Sequence, residues 1–186
     1  MSRFVLISGC SGGGKSTLLA ELARRGLAVV EEPGRRIVRE ELRGAGRALP
    51  WVDPVAFCRR AVEMSLADLE AAARLPGWVF FDRGLVDAAS GVQHLTGEPA
   101  LAACAAAGRF HLQTFHTPPW PEIYETDAER RHGLAEAVPE YERLLKVYAS
   151  LGYEVTILPK VSVAARADLV LAALEPDAFT RNRCKR

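Results

Sequence analysis

The chain has 186 residues, with 24 Lys and Arg against 23 Asp and Glu, a formal net charge of +1. That length suits one domain with a sizeable core, and 49% apolar with 25% charged residues excludes a disordered chain. Balanced charge disfavours a general nucleic-acid binder, and the longest apolar run, 100–107, is less than half a membrane span.

Short apolar runs alternate with longer helical ones, the pattern of α/β architecture with a parallel sheet. Residues 4–8 read as the first strand, 16–25 as a helix closed by Gly26 in a left-handed position, and 27–31 as the second strand. A polar helix follows over 35–43, then a loop over 44–51. Asp53-Pro54 supplies a capping carboxylate and a first-turn proline. From there Val55, Cys58, Val62, Leu66, Leu69 and Ala73 form one helical stripe. Pro76-Gly77 ends that helix before Trp78-Val-Phe-Phe81, a run typical of a buried central strand. Helices are predicted over 85–95 and 99–107, and a strand over 111–115. The stretch 117–133, rich in proline, aromatic and charged residues, reads as an exposed excursion. Leu134, Val138, Tyr141, Leu145 and Tyr148 mark another helical stripe, stopped by Gly152. Residues 154–158 give the last strand, and Ser162 caps a final helix through 174. The expected organisation is a single domain over 1–176 with a basic tail over 177–186.

Cys10, Cys58, Cys104 and Cys184 are scattered, with no Cys-x-x-Cys pair and no His at ligand spacing. Reduced thiols are expected, without a zinc site or a disulfide framework. The short run at 4–7 carries no signal-cleavage pattern, so a cytoplasmic location is expected.

The chemistry-bearing signal is Gly9-Cys-Ser-Gly-Gly-Gly14-Lys15-Ser16, a complete G-x-x-x-x-G-K-[ST] motif between a strand and a helix. Gly9, Gly12, Gly13 and Gly14, with Ser11, let backbone N–H groups close on phosphate oxygens, and the helix N-terminus adds its dipole. Lys15 is expected to reach the β- and γ-phosphates, the Ser16 hydroxyl to hold Mg²⁺, and Thr17 is a candidate for the α-phosphate. The motif gives a nucleotide and Mg²⁺, not a reaction.

Three further segments could supply chemistry. Glu31-Glu32-Pro33 ends the second strand, where ligand sites of open α/β sheets collect, and the proline holds Glu32 extended. A solvated turn is the alternative. Asp82-Arg83 closes the apolar strand; a carboxylate there suits Mg²⁺ and its waters, and the arginine suits an acceptor or its phosphate. Thr126-Asp-Ala-Glu-Arg130-Arg131-His132 places arginines on the excursion, where they could close over a transferring phosphoryl group or simply be solvated. Trp120 and Tyr124 could contact an acceptor or pack the base of the loop. Structural roles are expected for His94, His111 and His116, and Cys10 reads as a small filler.

With these segments in place, the chain resembles the small P-loop ATPase/kinase family, AAA-type ATPases among them, that includes the kinase domain of NadR-type nicotinamide riboside kinases. The resemblance rests on Gly9 to Thr17, Glu32-Pro33 with Arg35 and Arg36, Phe81-Asp82-Arg83-Gly84 with Asp87, Trp120 to Tyr124, Thr126 to Arg130, and Leu151 to Pro159 with Ser162-Val163. The Glu-Pro and Asp-Arg segments also look like those of deoxynucleoside kinases. That likeness implies Glu32 as general base for a sugar hydroxyl, with Asp82 and Arg83 serving metal and acceptor. Those kinases place a Trp soon after Glu-Pro, whereas here the next one is Trp51. The resemblance further implies a nucleotide-kinase-like three-layer fold, a five-stranded parallel sheet ordered 2-3-1-4-5, a lid over about 117–133, and a nucleotide-base contact from 159–162.

The expected function is Mg²⁺-ATP-dependent transfer of the γ-phosphoryl group to a small, nucleoside-like acceptor. Glu32 would take the acceptor proton, Asp82 would order the metal, and Arg130 or Arg131 would stabilise the moving group. The alternative is an ATPase or nucleotide-dependent switch read by a protein partner, which needs the cradle and Asp82 but not Glu32. No guanine-reading Asn/Thr-Lys-x-Asp motif is present, which favours ATP over GTP; the oligomeric state is not legible.

Overall fold

Strand β1 (Phe4–Gly9) sends alternate side chains to opposite faces of the sheet, and both faces are covered. In this computed structural model, which describes residues 2–102, 110–125 and 133–174, Val5 and Ile7 pack on one face with Leu18, Leu22, Phe80, Phe115 and Val170. Leu6 packs on the other with Val79, Phe81, Leu85, Leu144 and Tyr148. The remaining strands are β2 (Ala28–Val30), β3 (Val79–Asp82), β4 (Gln113–Thr117) and β5 (Glu154–Ile157). All pairings are parallel, in the order β2-β3-β1-β4-β5. This is the expected 2-3-1-4-5 sheet.

The helices are α1 (Lys15–Arg24), α2 (Pro33–Arg43), α3 (Pro54–Ala72), α4 (Leu85–Thr96), α5 (Leu134–Ser150) and α6 (Val163–Leu174). Helices α1 and α6 cover one face of the sheet, and α3, α4 and α5 cover the other. The punctuation acts as read. Asp53 accepts a hydrogen bond from Ala56 N at 2.9 Å to start α3, and Ser162 Oγ accepts one from Ala165 N at 3.3 Å to start α6. Gly26 and Gly152 are left-handed, at φ 85° and 81°.

Several boundaries differ. Helix α2 begins at Pro33, two residues early, because proline's fixed φ and missing N–H suit a first turn. Strand β4 runs two residues past the expected end: His116 and Thr117 are polar yet fully buried, so their polarity concealed the strand. The buried stripes of α3 and α5 are rotated from those expected. Ala61, Ser65, Leu69 and Ala72 face inward on α3, and Ala137, Tyr141, Leu144 and Tyr148 on α5, while Leu66 is 38% exposed. Helices approach most closely over small residues, which hydropathy undervalues: a Cβ at Gly91 of α4 would lie 2.7 Å from Cys58 Sγ of α3. The helix expected over 99–107 falls mostly outside the described residues, as does the basic tail. Among the described residues no helix is long and apolar enough to cross a membrane.

The parallel register sets the location of the site. Ile7 pairs with Asp82, and Gly9 with Thr117, so the carboxyl ends of β1, β3 and β4 meet on one edge of the sheet. Ligands of open α/β sheets bind at that edge.

Candidate active site

The loop between β1 and α1 turns through left-handed glycines, with Gly12 at φ 76° and Gly14 at φ 79°. Its glycines also admit neighbours that side chains would displace. A Cβ at Gly9 would lie 2.3 Å from Thr117 O, one at Gly13 2.7 Å from Thr117 Oγ1, and one at Gly12 2.3 Å from the Tyr124 ring. Cys10 N donates to Thr117 O at 2.8 Å, which ties the loop to β4. Lys15 is buried and donates to Cys10 O at 2.8 Å. Burial lowers its pKa, as does the nearby Arg83 charge, against Asp82, Glu32 and Asp87. Thr17 Oγ1 donates to Gly14 O at 2.9 Å.

Asp82 ends β3 directly beside this loop. Ser16 Oγ donates to Asp82 Oδ2 at 3.4 Å, and Asp82 Oδ1 is buried with no hydrogen-bond partner. Burial pushes the Asp82 carboxyl up to about 7, assisted by the Glu32 charge and opposed by Lys15, Arg83 and Ser16. Two adjacent hard oxygens, one of them on a carboxylate with an unused lone-pair site, fit Mg²⁺. That ion takes one or two protein oxygens and fills its octahedron with water and phosphate. Among the described residues no larger cluster of His, Cys, Asp or Glu could hold a metal.

Arg83 follows Asp82 in a left-handed conformation, φ 55°, which a residue with a Cβ rarely adopts. Its N–H donates to Ile7 O at 2.9 Å, and the turn aims the guanidinium back across the site. There it donates to Gly9 O at 3.1 Å and lies 2.6 Å from Glu140 of α5, 3.4 Å from Asp87 and 3.6 Å from Glu32. Burial alone would lower its pKa, but Glu140, Asp87, Glu32 and Asp82 more than offset that and raise it. Asp87 is itself held by the Tyr148 hydroxyl at 2.7 Å and by Ser8 Oγ.

Glu31 and Glu32 diverge. Glu31 pairs with Arg39 at 2.7 Å on the surface, whereas Glu32 is the N-cap residue of α2 and turns toward Arg83. A cavity of about 560 Å³ begins beside the cradle at Ser11, Glu32, Arg83 and Asp87. Its lining also includes Val38, Trp51, Phe57, Ala88, Gly91 and Leu95, with Arg35 and Arg143. Its size and mixed walls are those of a small-molecule site.

The expected residues from Gly9 to Thr17, Glu32, Asp82 and Arg83 are therefore brought together. Arg130 and Arg131 lie outside the described residues. Tyr124 packs on the phosphate cradle over Gly12, and Trp120 faces the Arg166 guanidinium at 5.2 Å. Trp51 and His94 line the cavity, an unexpected place for His94. Glu140 and Arg166 escaped the sequence reading because each is a charged residue on a helix whose partners are distant in sequence. A charge adjoining the buried positions of an amphipathic helix was the available signal.

A family profile described as "AAA domain" matches residues 4–166. No curated protein matches the sequence. Among solved structures, deoxyadenosine kinase from M. mycoides with products dCMP and a flexible dCDP bound superposes with a TM-score of 0.56 at 17% identity, covering 92% of this chain and 97% of that one. The same enzyme with dATP bound gives 0.57 at 16% identity, over 92% and 98% of the two chains. Shikimate kinase from Acinetobacter baumannii, in complex with shikimate, gives 0.55 at 17% identity, over 100% of this chain and 97% of that one. At such identities the likeness shows the fold, which is that of a P-loop kinase. The profile spans most of the chain, and the protein belongs to the AAA domain family that it describes.

Proposed function

We propose that the protein transfers the γ-phosphoryl group of ATP to a hydroxyl of a small, nucleoside-like acceptor held in the 560 Å³ cavity. One observation carries this reading: the cavity adjoins the phosphate cradle, and the Glu32 carboxylate stands in its lining at that end. A switch or simple ATPase needs no second, partly aromatic cavity there. The three solved neighbours are structures of two kinases, one holding shikimate and one dCMP, which supports a small acceptor.

In this reading Gly9 to Lys15 bind the polyphosphate through backbone N–H groups and the Lys15 ammonium, which exchanges its bond to Cys10 O for phosphate oxygens. Ser16 and Asp82 would hold Mg²⁺, which neutralises phosphate charge when bound. The acceptor oxygen attacks the γ-phosphorus as its proton passes to Glu32, and the bond from the γ-phosphorus to the bridging oxygen breaks to release ADP. Arg83, fixed by Glu140 and Asp87, orients Glu32 and shares the charge near the transferring group. Trp51 and Phe57 enclose the acceptor and exclude water. Residues 1–176 form one domain in this reading, and Arg130 and Arg131 add positive charge at the phosphoryl group.

ADP release from Mg²⁺-ATP, with and without nucleosides, nucleotides, nicotinamide riboside and shikimate, tests the proposal. Stimulation by one acceptor class is expected. Release indifferent to every acceptor would leave the ATPase or switch reading in its place.

A further inference from the structure

Arg166, in the first turns of α6, is only 3% exposed and forms no ion pair among the described residues. Its guanidinium lies 5.2 Å from the Trp120 ring centroid, its Nε is buried without a partner, and its Nη1 donates weakly to Gly13 O at 3.4 Å and Gly14 O at 3.3 Å. It packs against Gly14 so closely that a Cβ there would lie 2.9 Å from Nη1. A buried cation without a carboxylate is costly, and burial accordingly lowers its pKa. Such a group is retained where it serves something other than the stability of the empty fold.

We propose that Arg166 is a positioning residue of the phosphate cradle, holding the Gly13 carbonyl outward so that the Gly14 N–H faces the polyphosphate. The inference rests on the reading of Gly9 to Thr17 as a nucleotide site. In a trans peptide the C=O and the following N–H point in opposite directions. A hydrogen bond that draws Gly13 O toward α6 therefore turns Gly14 N–H away from it. Gly14 O is held by α1 itself, accepting from Leu18 N at 3.3 Å and Thr17 Oγ1 at 2.9 Å besides Arg166. The Gly14 N–H opens α1, where the helix dipole also favours an anion. The guanidinium adds its own unneutralised charge on the outer side of the loop. Trp120 packs against the guanidinium without cancelling that charge, because a ring face attracts a cation but carries no net charge.

The test measures affinity for ATP and for inorganic tripolyphosphate, together with thermal stability, in wild type, Arg166→Met and Arg166→Lys. Arg166→Met keeps an apolar stem and is expected to weaken both ligands by the same factor, tenfold or more, while the melting temperature of the free protein stays level or rises. Arg166→Lys keeps the charge without the fork and is expected to fall between. A melting temperature that drops together with affinity would make Arg166 an ordinary structural strut and overturn the proposal. So would loss of ATP affinity with tripolyphosphate affinity intact, or wild-type affinity in Arg166→Met. If Arg166→Met does not fold, the structural role is the true one. Wild type that binds neither ligand would remove the nucleotide-site reading itself, and this inference with it.

Discussion

Arg83 Nη1 and Glu140 Oε1 stand 2.6 Å apart, and this pair joins the carboxyl end of β3 to the middle of α5 across the floor of the candidate site. Arg83 lowers the Glu140 pKa against the opposing effect of burial, so the carboxylate stays ionised. The same guanidinium reaches Asp87 and Glu32, and Glu140 therefore decides how much of the Arg83 charge is left for Glu32.

Replacing Glu140 by Gln keeps the shape and removes the charge. Arg83 then turns from Glu140 toward Glu32, with which it already pairs at 3.6 Å, and competes with the acceptor hydroxyl for its carboxylate oxygens. The expected result is a fall in kcat of roughly tenfold from the lost general-base contribution. The cost in stability is about 1 kcal/mol, because the Glu140 side chain is 37% exposed and Arg83, though 11% exposed, keeps Asp87 and Glu32 as partners. Steady-state kinetics beside urea unfolding checks both; a large stability loss with unchanged kcat would contradict it.

Gly12 combines a left-handed backbone with the Tyr124 ring, 2.3 Å from where a Cβ would be. Gly12→Ala meets both obstacles: the conformation alone costs about 1–2 kcal/mol, and the ring must also move. ATP affinity should fall at least tenfold. Tyr124→Ala in the same chain removes the clash but not the backbone strain, so titration calorimetry should recover part of the loss and not all of it. No recovery would show that Tyr124 is not what limits the loop there.

How much of this was legible depended on whether a residue's partners lay near it in sequence. The β1, cradle and α1 unit was readable because a continuous apolar strand, a run of glycines and Lys15-Ser16 follow one another directly. Asp53, Gly26 and Gly152 were readable for the same reason: caps act within three or four residues. The β4 boundary was not, because His116 and Thr117 are buried by β1, β5 and α5 rather than by their own polarity. The rotated face of α3 follows from its close packing on α4, which suits small residues such as Ala61 and Ser65, and that of α5 from Ala137 and Tyr141 clustering with Cys10 of the cradle. Glu32 and Asp82 could be proposed from strand ends, but their convergence with Arg83, Glu140 and Trp51 needed the fold.

His116 gives a pH dependence with a defined sign. Burial, with the charges of Lys15 and Arg83, lowers its pKa from 6.5 to about 3. The unfolded chain thus takes up this proton before the folded one does. Stability from the neutral imidazole is present above pH 6.5 and is lost as pH falls from there toward about 3, at about 1.4 kcal/mol per pH unit. Denaturant unfolding between pH 7 and pH 4.5 should show wild type losing about 2–3 kcal/mol more than His116→Gln, which cannot titrate. Equal losses in the two chains would mean that His116 is not buried in its neutral form.

The central claim is that Glu32 takes the proton from an acceptor hydroxyl in the cavity beside the cradle. Its most direct test is ³¹P NMR of the reaction with the stimulating acceptor, in wild type and in Glu32→Gln, with ATP affinity measured on both. Wild type is predicted to form a phosphorylated acceptor in step with ADP. Glu32→Gln is predicted to bind ATP within about threefold of wild type, since Glu32 does not touch the polyphosphate in this account, while transfer falls by roughly 10²–10⁴. Inorganic phosphate as the sole product of wild type, or transfer undiminished in Glu32→Gln, would contradict the account.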